Sequence, residues 1–201
     1  MIRIVAGRWA SRRLAAPAGD RVRPTSDRVR EAVFAHLAAR LGRGGAAPED
    51  QLTGLTFLDL FAGGGGVGYE AASRGAASVT WVERDRAAAG LIERQRRLLG
   101  ATGRVVSTAV ETFLECPGRH DGARPGFDLV WLDPPYDLPA AELERLIDLV
   151  WEHGWLALDG LILVERSKRS PTPRLERHFP DHWWRDYGDT RVYLGRGRPT
   201  T

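Results

Sequence analysis

The fold of this chain is decided by the stretch Leu58-Asp59-Leu60-Phe61-Ala62-Gly63-Gly64-Gly65-Gly66-Val67-Gly68. Its apolar first half extends back to Thr56 and predicts a buried β-strand that ends near Phe61. The glycines predict a tight turn, because glycine adopts positive φ readily and lets other groups approach the backbone closely. A short helix is expected over residues 67–74. A strand, a glycine turn and a helix in this order are typical of open, mostly parallel α/β sheets.

Three of these glycines, Gly63, Gly65 and Gly68, match the G-x-G-x-x-G pattern of nucleotide-binding loops. A second strand is predicted over residues 78–83 and ends in Glu83, 20 residues after Gly63. Folds of this kind place there the acid that accepts hydrogen bonds from ribose hydroxyls. A phosphate loop is not favoured, because no Gly-Lys-Ser/Thr follows. The alternative interpretation is a plain strand-to-helix turn with a surface glutamate.

A second motif follows at Asp128-Leu129-Val130-Trp131-Leu132-Asp133-Pro134-Pro135-Tyr136. Residues 127–132 predict a buried strand, and Asp133 stands at its carboxyl end, where open α/β sheets bind ligands. The two prolines donate no backbone hydrogen bonds, so the carbonyls of this turn are expected to accept from another group. If a planar amine donates to Asp133 and to a carbonyl of the turn, its lone pair is aimed at an electrophilic methyl group. The ring of Tyr136 offers a flat face on which a base can stack. The alternative is a capping aspartate before a proline-rich turn, with Tyr136 covering the core.

The chain resembles the class I S-adenosylmethionine-dependent methyltransferases that methylate amino groups. More narrowly, it resembles the bacterial family that methylates N2 of a guanine in small-subunit (16S) ribosomal RNA, and the resemblance extends from Ile2 to Leu194. Besides the two motifs above, it is carried by Arg3-Ile4-Val5-Ala6-Gly7 with Arg12-Arg13-Leu14, and by Arg23-Pro24-Thr25-Ser26-Asp27-Arg28-Val29-Arg30-Glu31. The fold that it implies is an α/β fold with a Rossmann-like seven-stranded methyltransferase sheet and a small N-terminal hairpin and helix as an appendage.

The motifs and the resemblance together predict three groups of site residues. Those predicted to bind S-adenosylmethionine are Asp59, Phe61, Gly63, Gly65, Gly68, Glu83, Arg84 and Val110. Those predicted to receive the amine and the base are Asp133, Pro134, Pro135 and Tyr136. Those predicted to hold RNA are Arg3, Arg8, Arg12, Arg13, Arg23, Thr25 and Arg28. As an alternative, Thr25 or Ser26 caps the helix that follows, and Asp27 interacts with the dipole of that helix.

Three positions depart from the family pattern. Gly64 and Gly66 stand where such loops usually carry Ser and Ala, which predicts a more flexible loop. Ala109 stands where an Asp or Asn is expected to contact the adenine. We therefore expect the backbone N–H of Val110 to make this contact instead.

Charge is unevenly distributed along the chain. Residues 1–45 hold ten arginines and three acids, a net charge of +7, whereas the rest holds 19 basic and 23 acidic side chains, a net charge of −4. A basic segment on a mildly acidic body indicates a polyanionic partner such as 16S ribosomal RNA or the small ribosomal subunit. A solvated charged surface is the alternative interpretation.

Composition limits the other classes of protein. The chain has 201 residues and one cysteine, Cys116, which excludes a disulfide framework and favours a cytoplasmic protein. There is no apolar leader and no run of membrane-spanning length. His178 and His182 are separated by Pro180 and are not expected to share a metal, so no metal site is predicted. We expect a monomer.

Two domains are predicted: a basic RNA-binding appendage over residues 1–45 and a methyltransferase domain over residues 52–201. In the appendage, residues 2–6 and 12–15 are expected to pair as a hairpin, before a helix over residues 27–41 with an apolar stripe at Val29, Val33, Leu37 and Leu41. Further helices are predicted over residues 86–99 and from Pro139. Strands are predicted over residues 104–107 and 161–165, with a terminal hairpin over residues 183–194.

Three other functions stay open on the sequence. Asp-Pro-Pro-Tyr also occurs in enzymes that resemble adenine-N6 methyltransferases of DNA or RNA, although the chain has no room for a separate base-recognition domain. A nucleotide-dependent dehydrogenase would have no use for Pro-Pro-Tyr. A non-catalytic RNA-binding module would need no cofactor.

Overall fold

A computed structural model of the protein describes residues 1–17, 26–116 and 125–197. Arg23 and Thr25, predicted to hold RNA, lie outside these residues. The chain divides into two compact units, Met1–Thr108 and Ala109–Thr201. The predicted division into an appendage over residues 1–45 and a domain over residues 52–201 stays a prediction.

The unit Met1–Thr108 holds the predicted hairpin and the glycine loop. Strand β1 pairs antiparallel with β2, as predicted, and β3, β4 and β5 run parallel. The bounds in chain order are β1 Ile2–Arg3, β2 Arg13–Leu14, α1 Asp27–Arg40, β3 Thr56–Leu60, α2 Gly66–Ser73, β4 Ser78–Val82, α3 Arg86–Leu99 and β5 Gly103–Val106.

The unit Ala109–Thr201 holds the second motif. Strand β6 pairs parallel with β7, and β7, β9 and β8 pair antiparallel. The bounds are α4 Val110–Glu115, β6 Phe127–Leu132, α5 Ala140–Glu152, β7 Leu156–Ser167, β8 Asp181–Tyr187 and β9 Thr190–Arg196. The strands β3 to β9 belong to one seven-stranded sheet in the order β5-β4-β3-β6-β7-β9-β8. This confirms the predicted parallel sheet with an antiparallel edge.

Local sequence explains most of these elements. Ser26 caps α1 by accepting from the Val29 N–H at 3.3 Å. Val33 and Leu37 of the predicted stripe are buried, whereas Val29 and Leu41 are only half-buried. Arg30 is buried on this helix as well, which the apolar pattern did not predict.

The second unit contains one helix that was not predicted, α4, and one strand whose predicted start was wrong. The four apolar residues predicted on one face of α5 are all buried, namely Leu143, Leu146, Ile147 and Val150. Strand β7 begins at Leu156, five residues before its predicted start. Asp159 and Gly160 interrupt the apolar run, and the pairing between β6 and β7 shifts register at this point. None of the helices in the described part of the chain has the length and hydropathy of a membrane span.

Candidate active site

The glycine loop leaves β3 through residues with left-handed backbone conformations. Phe61, Gly63 and Gly65 have φ of 61°, 55° and 78°. Phe61 is one of two non-glycine residues with positive φ in the described ranges, the other being Ser11. Such a backbone costs about 1–3 kcal/mol and clusters at ligand sites. The half-buried Phe61 therefore marks this turn as a candidate site.

Asp59 is a buried acid directly beneath the loop. Its carboxylate accepts from the Gly68 N–H at 2.9 Å. Burial raises the pKa of Asp59 to about 7; the hydrogen bond from Gly68 opposes this rise and the charge of Glu83 adds to it. A Cβ on Gly68 would overlap the indole of Trp81, so the missing side chain lets α2 pack on β4. Of the predicted cofactor residues, Asp59 and Gly68 thus have structural roles that the structure shows directly.

Glu83 follows β4 and ties the loop to the next helix. Its two carboxylate oxygens accept from the backbone N–H groups of Gly63 and Asp85, each at 2.7 Å. A carboxylate has about four acceptor sites, so two further donors can be accommodated on this half-buried group. A ribose diol has two hydroxyl donors, the same number that the Glu83 carboxylate can still accept. Arg84, the next residue, is exposed.

The N-terminal hairpin lies on the glycine loop. A Cβ on Gly64 would overlap the Ile2 side chain, and one on Gly66 would lie 3.3 Å from it. Ile2 is buried there. The two glycines that depart from the family pattern therefore make room for a residue of the hairpin, a contact that the sequence did not predict.

Buried polar groups of α2 anchor this hairpin. Glu70 is fully buried and accepts from the backbone N–H groups of Val5 at 2.7 Å and Ala6 at 3.0 Å, and from Arg74 at 2.8 Å. Ser73 Oγ donates to the Ala6 carbonyl at 2.6 Å. The predicted RNA-binding side chains in the described part of this region are all exposed: Arg3, Arg8, Arg12, Arg13 and Arg28. The hairpin thus keeps its backbone inside the unit and its cations at the surface.

The Asp-Pro-Pro-Tyr turn begins where β6 ends. Asp133 is half-buried, Pro134 is buried and Pro135 is exposed. The Tyr136 side chain is 53% exposed, which leaves ring surface for stacking. This agrees with the predicted placement of an acid and a flat ring at the carboxyl end of a strand.

Arg166, in β7, contacts this turn from the neighbouring strand. Its guanidinium donates to the Pro135 carbonyl at 2.9 Å and lies within 3.5 Å of the carbonyls of Pro134, Tyr136 and Leu138. Desolvation lowers the pKa of Arg166, and the charge of Asp133 opposes this effect. The sequence predicted that the carbonyls would accept from another group but did not identify this donor, because it lies about thirty residues away along the chain.

Val110 is the first residue of α4 and is buried. Ala109 precedes it without a capping side chain, and the Ala109 carbonyl accepts from Phe113. The first N–H groups of a helix have no acceptor within that helix. The expected contact between the Val110 N–H and adenine stays a prediction. No group of three potential metal ligands occurs among the residues that the structure describes.

Comparison with known proteins decides the family. The family model described as conserved hypothetical protein 95 matches residues 2–196. Ribosomal RNA small subunit methyltransferase D of Escherichia coli K12 is 35% identical over 182 residues, which are 90% of this chain and 82% of that protein. This chain belongs to the ribosomal RNA small subunit methyltransferase D family. The predicted family is therefore confirmed.

Solved structures of methyltransferases share the fold of this chain. The putative methyltransferase yhhF from Escherichia coli aligns with a TM-score of 0.77 at 33% identity, over 98% of this chain and 99% of that one. A Thermus thermophilus 16S rRNA N2 G1207 methyltransferase, solved with AdoMet and guanosine, aligns with a TM-score of 0.64 at 19% identity, over 90% of this chain and 45% of that one. The second comparison shows the fold alone, and it confirms the predicted class I methyltransferase sheet.

Proposed function

We propose that this protein transfers a methyl group from S-adenosylmethionine to the exocyclic N2 amine of a guanine in 16S ribosomal RNA. The observation that carries the proposal is the turn Asp133-Pro134-Pro135-Tyr136 at the end of β6, with a partly exposed acid and an exposed ring, in a member of the methyltransferase D family. The relative from Escherichia coli is named for action on small-subunit ribosomal RNA. The substrate is either this RNA or the assembled small subunit.

The glycine loop fits the adenosine and amino-acid parts of the cofactor. Glu83 has acceptor capacity for two ribose hydroxyls, and Phe61, Gly63 and Gly65 form the turn that would face the ligand. Asp59 and Gly68 would support that turn from below, while Arg84 and Val110 would complete the binding site. S-adenosylmethionine supplies an electrophilic methyl group on a sulfonium.

The Asp-Pro-Pro-Tyr turn would hold the attacking amine. Asp133 and the Pro134 carbonyl would each accept one N–H of the amino group, which aims the nitrogen lone pair away from both acceptors. Tyr136 would stack on the base, and Pro135 would stiffen the turn. Alignment of two reacting groups in this manner accounts for much of the rate enhancement in group transfer.

The N-terminal region would hold RNA through its surface arginines. We propose that residues 1–45 form the RNA-binding appendage and residues 52–201 the methyltransferase domain, with the arginines of the hairpin and Arg28 on phosphates. Arg23 and Thr25 belong to the same proposal. Phosphate contacts of this kind provide affinity without sequence specificity.

The direct test is methyl transfer from tritiated cofactor to small subunits from a strain that lacks the enzyme, followed by mass mapping of the RNA. We expect methylated guanine-N2 with the wild-type protein. Asp133→Ala should reduce the rate of methyl transfer by roughly tenfold to a hundredfold, because a charge-assisted hydrogen bond of about 1.5–3 kcal/mol is removed. Cofactor affinity, measured by calorimetry, should stay within a few-fold. Near-normal turnover by this variant would contradict the assignment of the amine acceptor, and methylated adenine would favour the adenine-N6 alternative.

A further inference from the structure

Arg166 has an unusual set of partners for a buried arginine. Its side chain is 3% exposed. In the other unit, the buried Arg74 donates to the carboxylate of Glu70 at 2.8 Å. The hydrogen bonds of Arg166 instead go to four main-chain carbonyls of a single turn, those of residues 134, 135, 136 and 138. A buried cation therefore organises the backbone of the turn that carries Asp133.

The carbonyls of this turn are not equally occupied. The Pro135 carbonyl accepts from Arg166 at 2.9 Å and from the Leu138 N–H at 3.0 Å, which uses both of its lone pairs. Within the described part of the chain, the Pro134 carbonyl has a single long contact, of 3.5 Å with Arg166. Of the two proline carbonyls, Pro134 therefore keeps more capacity to accept from a ligand, and it directly follows Asp133 in the chain.

We infer that Arg166 is a positioning residue for methyl transfer: it engages the Pro135 side of the turn and thereby presents Asp133 and the Pro134 carbonyl together to the substrate amine. The inference rests on the proposed function and adds to it a residue of β7. Arg166 would act through the turn and would not itself contact the base.

The chemistry of the guanidinium suits this role. Two prolines in succession remove two N–H groups that would otherwise brace the turn from within. The guanidinium is planar and has donors on both terminal nitrogens, so it contacts several carbonyls at once. A lysine ammonium acts as a single point charge at the end of a flexible side chain. Without the guanidinium, the turn would keep the hydrogen bond from the Leu138 N–H to the Pro135 carbonyl, but its backbone would be less well aligned.

The test compares Arg166→Met, Arg166→Lys and wild type in single-turnover reactions. Enzyme and cofactor are present at saturating concentrations and in excess of the small subunits. Under these conditions the rate constant does not depend on the fraction of enzyme that is folded. For Arg166→Met we expect this rate constant to fall by roughly tenfold to a hundredfold, as for misaligned reacting groups. Arg166→Lys should lie between Arg166→Met and wild type. The Kd for cofactor and for RNA should stay within about threefold, because the proposed role of Arg166 is to hold the turn and not to contact either ligand.

Arg177→Met is the matched control from the same unit. Arg177 is a half-exposed arginine paired with Asp148 at 3.2 Å, and its loss should leave the rate constant unchanged. A wild-type rate constant for Arg166→Met would overturn the inference. If Arg166→Met does not fold, Arg166→Lys decides: a wild-type rate constant overturns the inference, and a reduced one with unchanged Kd supports it.

Asp133→Ala separates this inference from the proposed function. If Asp133→Ala slows methyl transfer as expected and both Arg166 variants are fully active, only the role of Arg166 is wrong. If Asp133→Ala itself turns over normally, the proposed amine acceptor is wrong, whatever the Arg166 variants do.

Discussion

At the scale of single residues, the glycine loop combines a strained backbone with a buried acid. Phe61 has positive φ although it carries a side chain, and Asp59 is buried two residues earlier. Both features disfavour the folded state when they are considered alone. Such local disadvantages persist where a binding site requires them, which agrees with the proposed cofactor loop.

The strain at Phe61 can be measured with a pair of substitutions. Phe61→Ala and Phe61→Gly both remove the ring, but only glycine accepts a φ of 61° without a steric penalty. We expect Phe61→Gly to be more stable than Phe61→Ala by about 1 kcal/mol in urea unfolding. Both variants should bind S-adenosylmethionine more weakly than wild type. Equal or reversed stabilities would show that the backbone at this position is relaxed.

The buried Asp59 should make stability depend on pH. Its pKa is about 7 in the folded chain and 3.8 unperturbed, so between these values the folded state binds a proton that the unfolded state has released. The free energy of unfolding should therefore fall as pH rises from about 4 to about 7, by up to about 4 kcal/mol. Asp59→Asn keeps an oxygen for the Gly68 N–H but cannot titrate. Its urea unfolding without cofactor should vary less over this range, and parallel pH profiles for the two proteins would contradict the prediction.

At the scale of elements, the N-terminal hairpin and the glycine loop are packed against each other. Ile2 occupies the space above Gly64 and Gly66, and Glu70 and Ser73 of α2 bind the hairpin backbone. The hairpin is therefore part of the unit that carries the proposed cofactor site. A substitution that disturbs the packing of the hairpin should therefore also destabilise the glycine loop.

A double-mutant cycle tests this coupling. Gly64 does not have positive φ, so Gly64→Ala adds no backbone strain; its Cβ would overlap the Ile2 side chain and lie 3.1 Å from Pro17. We expect it to destabilise the protein by about 1–3 kcal/mol through overpacking. In an Ile2→Ala background the same substitution should be milder, with a coupling energy of about 0.5–3 kcal/mol.

Gly66→Ala is the matched control for this cycle. Its Cβ would lie 3.3 Å from Ile2, so we expect a smaller effect than at Gly64. Cofactor affinity should follow the stability of the loop in each variant. Strictly additive effects of Gly64→Ala and Ile2→Ala would show that the hairpin and the loop are energetically independent.

At the scale of the whole molecule, the exposed arginines of the hairpin are separate from the contacts that anchor it. The exposed cations of residues 1–45 point to a polyanionic partner, whereas the hairpin is held by contacts of its backbone, by Ile2 and by the buried Arg30, which donates to the Arg3 carbonyl. Arg3 pairs with Asp27 at 2.8 Å, but both side chains are well exposed and such pairs contribute little to stability. Removal of the exposed arginine charges of the hairpin should therefore leave the fold intact.

Replacement of Arg3, Arg8, Arg12 and Arg13 by Gln tests this separation. RNA affinity should fall, and the slope of log affinity against log salt should flatten by roughly 0.7–0.9 for each phosphate that the variant no longer neutralises. Cofactor affinity and the free energy of unfolding should stay close to wild type. An unchanged salt slope would show that RNA binds elsewhere on the protein. A loss of cofactor affinity would show that these side chains also support the glycine loop.

The sequence by itself determined most of the elements and their order, with α4 as an exception. The apolar runs before the glycine loop and before Asp133 predicted β3 and β6, the α3 bounds were predicted to the residue, and Ser26 was predicted as a candidate cap of α1. These features depend on interactions between residues close in the chain, so periodicity, capping and turn chemistry are sufficient to predict them. The motifs that indicated the family were likewise short and local.

Only the tertiary structure decided which distant residues support those motifs. Arg166 contacts the Pro135 carbonyl across 31 residues, Glu70 binds the Val5 N–H across 65, and Trp81 fills the space beside Gly68. A buried arginine or glutamate has no periodic signature, because its position depends on a partner that packing brings near. The strand length of β7 was missed for the same reason, since pairing with β6 extends it past Asp159 and Gly160. Local pattern thus predicts the elements, whereas the contacts that align the proposed site arise only when the elements pack.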